Sequence, residues 1–506
     1  MKRTRSTWWS LLGFGLGGFL LGIALLLLLL ALGRFTGLTG GAAAFLPASV
    51  RFIHTSPLTP TPTPTPTVTP SPTPLPIREK ALVRDVYAVV RYVTAPDPGE
   101  ITREDVRRRW FQGDQPPLYV TQAAYEGLLK IFFAPPAREA RVYVVPSAQA
   151  LIPPLRRHPD AWGILPFDRL LPLLVPLPFE GLDLLDPTLS REMLDDYYLS
   201  RSRIVKHTWP HSNREPDRFH VMWVGGATTL KGPWEEAFAS KERAEGSVAA
   251  LRPIWRTSSW VHVQWDVPLK PACASSDPTC ARPERTQRLA ELGVNGAGVA
   301  SPFLARAGRG AALYTQNTLR EKGIRAFGVG RLLSTEVAYT WTVAGHRIAL
   351  VNASVPSGPG QWATREEPGP LPLDPQQVED WVWLVERLAQ AHDAVILFVR
   401  WRPTYDVPGP QMRGVFDMLH GAGATAVIGV QPGHPQPIAF DSTGIRAYGL
   451  GSFLVGQEPR ALALRLYFYD GRLINVRPDV LVREKEAWRP APPSQGDVLR
   501  TLIEAP

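Results

Sequence analysis

Cysteine is almost absent: the 506 residues contain two, Cys273 and Cys280, in the polar stretch PACASSDPTCAR. No second Cys or His pair with ligand spacing stands beside them, which argues against a zinc finger or ribbon. In an oxidising compartment two thiols this close are expected to pair and close a small loop. Strong charge of one sign is also lacking. The formal net charge of +9 is spread thinly, part of it sits at the amino terminus, and no base-reading motif accompanies it, so a solvated surface is favoured over a nucleic-acid interface. In the first half of the chain no Ser/Thr/Gly-rich loop follows a strand in the way that would cradle a phosphate on a helix N-terminus.

Proline, by contrast, is abundant at 52 residues, which points to linkers and irregular loops. Residues 1–34 open with the basic Met1-Lys2-Arg3-Thr4-Arg5, followed by an almost wholly apolar run from Trp8 to Leu32. About 20 apolar residues span a bilayer core, and this run exceeds a usual cleaved leader. It reads as a signal anchor with its basic end in the cytoplasm and the bulk of the chain outside; the alternative is a cleaved leader cut near Ala42 to Ala44. Within residues 35–79, SPLTPTPTPTPTVTPSPTPLP reads as a polyproline II spacer reaching roughly 60 Å at about 3.1 Å per residue. The length leaves room for two or three domains.

A small α/β domain is expected over 80–204. It begins with the β-rich VYAVVRYV, and RVYVVPS follows later. Between them, Thr102 with Asp105 three residues on forms a capping-box pattern for a helix that stops by Gly113. The segments ITREDVRRRWFQG and GILPFD resemble part of the phosphate-type solute-binding proteins. For Asp168 and Arg169 the residues themselves favour a helix N-cap and an exposed cation over ligand contact.

The second half, 217–485, follows a βαβ rhythm; 486–506 reads as a tail. Its clearest unit, Ala394 to Gly456, shows a buried strand AVILFV, a Pro/Gly turn, a helix, a second buried strand TAVIGV, a Pro-broken loop and a strand RAYGLGSF. Near-continuous apolar runs separated by a helix mark a parallel sheet, and the loops at the carboxyl ends of such strands form the crevice where ligands bind. The helix Val378 to His392 places Trp381 and Trp383 in core and groove lining.

These motifs, in order, resemble the CapA-type capsule and poly-γ-glutamate synthesis family, relatives of the calcineurin-like metallophosphoesterases. The family pattern His-Trp-Gly-x-Glu-Tyr is matched by Arg400-Trp401-Arg402-Pro403-Thr404-Tyr405, Gly-His-His-Pro-His-x-x-Gln by Gly429 to Gln436, and Tyr-x-Leu-Gly-Asn-Phe by Tyr448 to Phe453. Upstream, Asn-Leu-Glu-x-Pro-Leu corresponds to Gln264-Trp265-Asp266-Val267-Pro268-Leu269. The resemblance implies a four-layer metallophosphatase-like β-sandwich with flanking helices, preceded by the small α/β domain, the Pro/Thr linker and one transmembrane helix.

It also implies a metal site, and here the ligand positions are degenerate: Gly226, Pro302, Phe303, Arg400, Gln431 and Gly433 replace the expected Asp, Asn and His residues, leaving Asp266 as the one carboxylate. A fixed guanidinium repels cations and one carboxylate cannot hold a dinuclear centre. No metal and no cofactor are therefore expected. What remains in the crevice is Asp266, Arg400, Trp401, Tyr405, Gln431, His434 and Gln436. Open, this set suits an anionic or carbohydrate-like envelope polymer through bidentate and stacking contacts; collapsed, it becomes packing, with Arg400 paired to Asp266.

Three functions follow as expectations. The first is a membrane-anchored extracytoplasmic, non-catalytic component of capsule or poly-γ-glutamate assembly, with polymer and capsule-assembly proteins as partners. The second is a metal-free hydrolase or transferase using Asp266 or His434. The third is a small-anion sensor working through 80–204.

Overall fold

The computed structural model describes residues 81–205, 212–334, 337–402, 407–456, 458–491 and 502–504. The expected anchor and Pro/Thr linker, and Tyr405, lie outside the described residues. Among those described, no helix is long and apolar enough to cross a membrane.

The first sheet holds β1 (Ala81–Tyr92), β2 (Leu118–Thr121), β3 (Val142–Val145), β4 (Trp162–Pro166), β5 (Leu174–Pro176) and β6 (Ser200–Val205), in the order β3-β2-β4-β1-β5 with β6 also on β1. β2 runs parallel to both β3 and β4. The helix Arg103–Phe111 starts as expected: Thr102 accepts from the backbone of Asp105, whose side chain reaches back to the Thr102 N–H. Asp168 is a correction. It sits inside a 3-10 turn rather than at an N-cap, its carboxylate taking a hydrogen bond from Asn213 at 3.4 Å.

The next sheet begins with β7 (Phe219–Thr228), β8 (Trp260–Trp265), β9 (Gly296–Gly298) and β10 (Arg325–Phe327), all parallel neighbours. The two-residue β11 (Val329–Gly330) precedes β12 (Tyr339–Val343) and β13 (His346–Ser354) and pairs with β14 (Gly369–Pro370). β13, β15 (Ala394–Arg400), β16 (Ala426–Gly429) and β18 (Ile445–Ala447) form the parallel core of a third sheet, with β17 (Ile438–Phe440) antiparallel to β18. β19 (Ser452–Leu454), β20 (Arg460–Tyr469), β21 (Arg472–Glu484) and β22 (Ala487–Pro490) return to the second sheet, and β23 (Ile503–Glu504) pairs with β17. The last 20 or so residues are thus partly strand rather than a free tail.

Strand periodicity sorts the side chains into layers. From β15, Ile396 and Phe398 join Met222, Val224, Trp260 and Phe327 between the two sheets, while Val395, Leu397 and Val399 face Trp381, Leu384, Val415 and Phe416 of the helices outside. The second sheet buries Trp223, Val261 and Val263 against its own helices. Helix, sheet, sheet, helix is the resulting stack. Trp381 is buried as expected, but Trp383, two residues on and so on the opposite face of the helix, is 44% exposed, with the Arg387 guanidinium 4.9 Å over its ring.

The small sheet is welded to this sandwich. Phe167 meets Tyr469 edge-to-face at 5.5 Å, Asn475 donates to the Leu174 carbonyl at 2.9 Å, and Arg477 grips the Asp183 carboxylate with both terminal nitrogens. Small sheet and sandwich fall within one compact unit.

Candidate functional site

The carboxyl ends of β7, β8, β9, β13, β15 and β16 converge at one end of the sandwich, as parallel strands in both sheets require. At their centre the Arg400 guanidinium donates to Asp266 Oδ2 through Nε at 3.3 Å and Nη2 at 3.2 Å. Its Nη1 donates to the Trp401 carbonyl at 3.1 Å. The two side chains are 4% and 2% exposed. Of the two arrangements open to the sequence, the residues adopt the paired one.

Residues not singled out by sequence hold the pair. Gln264, buried on β8, donates to Asp266 Oδ1 at 3.4 Å and to the Ala300 carbonyl at 3.1 Å. Asn352, buried on β13, donates to Gln264 Oε1 at 2.9 Å and to the Phe398 carbonyl at 3.0 Å, and accepts from the Ala300 N–H. Ser301 donates to the Asp266 carbonyl at 2.6 Å and caps the helix Pro302–Ala307. Asn352 did carry a signal, a lone amide inside the apolar run IALVNASV; an unpaired buried amide costs enough that such a residue must have partners.

Of the remaining predicted residues, Trp401 meets the pair through its carbonyl and Phe303 lies with its ring centroid 6.0 Å from the Arg400 guanidinium, while the others sit apart. Trp401 is buried, its ring edge-on to Phe416 at 6.0 Å. Gln431 Nε2 donates to the Tyr448 carbonyl at 2.7 Å and to Gln436 Oε1 at 3.2 Å, both glutamines being buried. His434 points outward, its side chain 65% exposed and 3.9 Å from Glu458. Gly433 donates its N–H to Ser452 Oγ at 3.0 Å. Pro302 is the first residue of its helix, where a missing N–H costs nothing, and Phe303 lies against the Arg306 guanidinium at 4.8 Å.

Gly226 has a reason beyond a lost ligand. A Cβ there would lie 2.1 Å from the Gly451 carbonyl oxygen, the acceptor for the Ala227 N–H. Because the obstacle is backbone, a side chain, the family carboxylate included, forces β7 and β19 apart. Gly226→Ala is expected to lower the unfolding free energy by about 1–3 kcal/mol, measured by chemical denaturation; no measurable change would contradict this contact.

These residues do not fit the metal pair that the family resemblance implies. Gly226, Pro302 and Gly433 bring no side-chain donor, Phe303 is apolar, and the single carboxylate is already matched to a guanidinium. Among the described residues, the group of Cys, His and acidic side chains close enough to share an ion is Cys273, Asp277 and Cys280, and both sulfurs are consumed in the disulfide that joins them, with Cα atoms 5.9 Å apart. Beside the buried pair a cleft of about 410 Å³ opens between the ends of β13 and β15, lined by Asp374, Gln376, Trp401, Arg402 and Gln411 among others.

Residues 221–457 match the bacterial capsule synthesis protein PGA_cap family. Within the matched chain, 116 residues are 29% identical to the PGA biosynthesis protein CapA of Bacillus subtilis (strain 168); they make up 23% of this chain and 30% of that protein, so the alignment spans under a third of the curated relative. Among solved structures, the calcineurin-like phosphoesterase YfkN from Bacillus subtilis is 9% identical with TM-score 0.27, covering 54% of this chain and 88% of that one. An ABC-type phosphate transport receptor from Vibrio cholerae is 15% identical with TM-score 0.21, covering 25% of this chain and 59% of that one. The resemblance to the capsule and poly-γ-glutamate synthesis family thus holds for the PGA_cap-like domain.

Proposed function

We propose that this chain is a non-catalytic component of capsule or poly-γ-glutamate-type polymer synthesis, held at the membrane by its N-terminal apolar run and presenting its PGA_cap-like domain outside the cell. The buried Asp266–Arg400 pair carries this reading. It fills the centre of the strand-end crevice with an internal cation, where the chemistry of a dinuclear phosphoesterase needs acidic and imidazole donors around an open position. The polymer would then be met at the rim, by Arg402, Asp374, Gln376 and Gln411 in the adjoining cleft, with an anionic chain favouring Arg402. A metal-free hydrolase draws no support from the geometry: Asp266 is engaged by Arg400, and His434 stands on the surface against Glu458.

The test combines metal content with turnover. Protein purified from cells supplied with Mn, Fe and Zn is expected to carry well under one equivalent of any of them and to leave a phosphodiester substrate such as bis(p-nitrophenyl) phosphate untouched. Two equivalents of metal with turnover would overturn the proposal. Co-sedimentation with poly-γ-glutamate, weakened by Arg402→Ala, checks the binding role.

A further inference from the structure

A second cavity, about 820 Å³ in volume, opens where the small sheet meets the sandwich, within the 300–1,000 Å³ range of small-molecule sites. Thr121 and Pro166, at the carboxyl ends of the parallel strands β2 and β4, form part of its wall, with Glu126 on the helix Gln122–Phe132. Arg472, in β21 of the sandwich, closes one side, fixed there by its bonds to the Leu170 and Asp168 carbonyls.

Arg201 distinguishes this cavity from a packing gap. It lies on β6 opposite Asp85, lines the cavity half-buried, and among the described residues its guanidinium has no hydrogen bond or ion pair. A partly desolvated cation without a partner is an anion site in waiting. Arg169 adds a loosely held cation, 3.6 Å from Asp168 and largely exposed. Thr121 Oγ1 accepts from the Ala124 N–H and keeps its own proton to donate. Carboxylates also line the cavity: Asp85, across the strand pair from Arg201, Glu126, bonded to the Gln122 amide at 3.0 Å, and Asp168. A ligand that satisfies both sets carries a carboxylate and an ammonium.

We propose that this cavity binds a small zwitterion of the amino-acid class, free or as a short peptide, with its carboxylate on Arg201 and Thr121 and its ammonium on Glu126 and Asp168. This stands apart from the reading of the PGA_cap-like domain, whose strand ends are not involved. The test is calorimetric titration and thermal shift of the full chain with L-glutamate, γ-glutamyl-glutamate, N-acetyl-glutamate and inorganic phosphate. Glutamate or the dipeptide is expected to bind and raise the melting temperature, and N-acetylation to weaken binding about tenfold or more, as loss of one charged hydrogen bond does. Arg201→Ala is expected to weaken it at least as much while leaving the ligand-free melting temperature unchanged, since Arg201 has no partner to lose. Glu126→Gln is expected to weaken the zwitterions and spare N-acetyl-glutamate. Absence of binding by either zwitterion, stabilisation by phosphate alone, or full affinity in Arg201→Ala would each overturn the proposal.

Discussion

Arg400→Met is expected to lower the unfolding free energy by about 3–5 kcal/mol, the usual loss when one member of a buried ion pair is removed. The reason is local. Asp266 is 1% exposed, and without the guanidinium its only side-chain donor among the described residues is Gln264 at 3.4 Å, so a carboxylate is left in a site that water does not reach. Asp266→Leu is expected to cost a similar amount, by stranding Arg400. The double variant Arg400→Met/Asp266→Leu should lose far less than the sum, because no charge remains to be desolvated, and the difference measures the coupling between strands of the two sheets. Denaturant titration of the four proteins checks this. Additive losses would mean that the two groups stand apart in solution, and the non-catalytic reading of the crevice would lose its support.

His262→Leu is expected to raise stability, and more so in acid. The imidazole is fully buried between the sheets, stacked on Phe398 at a centroid distance of 3.8 Å, and neither ring nitrogen has a hydrogen-bond partner among the described residues. Burial alone pushes its pKa from 6.5 down to about 3. As pH falls below 6.5 the unfolded chain takes up a proton that the folded chain refuses, so stability drops toward pH 3 by up to about 1.4 kcal/mol per pH unit. Between pH 7 and pH 5 this residue alone removes about 2 kcal/mol. Leucine, near in volume and without polar atoms, relieves about 1–3 kcal/mol of unsatisfied polar burial at neutral pH and abolishes that acid dependence. Melting temperatures of both proteins from pH 7 to pH 5 decide it: parallel curves would place the acid sensitivity elsewhere.

Local signals were readable wherever neighbours in sequence do the physical work. The capping box at Thr102 and Asp105, the strand–helix–strand run from Ala394 to Gly429, and the disulfide between Cys273 and Cys280 each depend on residues a few positions apart. The stretch RAYGLGSF was not readable in the same way. Its first half is β18 in one sheet and its second half β19 in the other, and the crossing at 448–451 relies on close backbone approaches that no periodicity records. The hairpin of β17 with β18 was hidden by the prolines around it, and the strands after residue 486 by a composition that reads as tail. His434 and Trp383 show the converse: side-chain type suggested a site or a groove, and the local backbone turned each toward solvent.

The order of motifs was enough to show what kind of domain 217–485 resembles, a resemblance matched over 221–457, and that its strand ends lack the imidazoles and all but one of the carboxylates, since both are properties of which residues stand where. Whether Arg400 faces an open crevice or a carboxylate depended on a partner 134 residues away on another sheet. Only the folded arrangement brings those groups within 3.2 Å and shuts water out, because the energy of a charge is set by its surroundings in space and not by its neighbours along the chain.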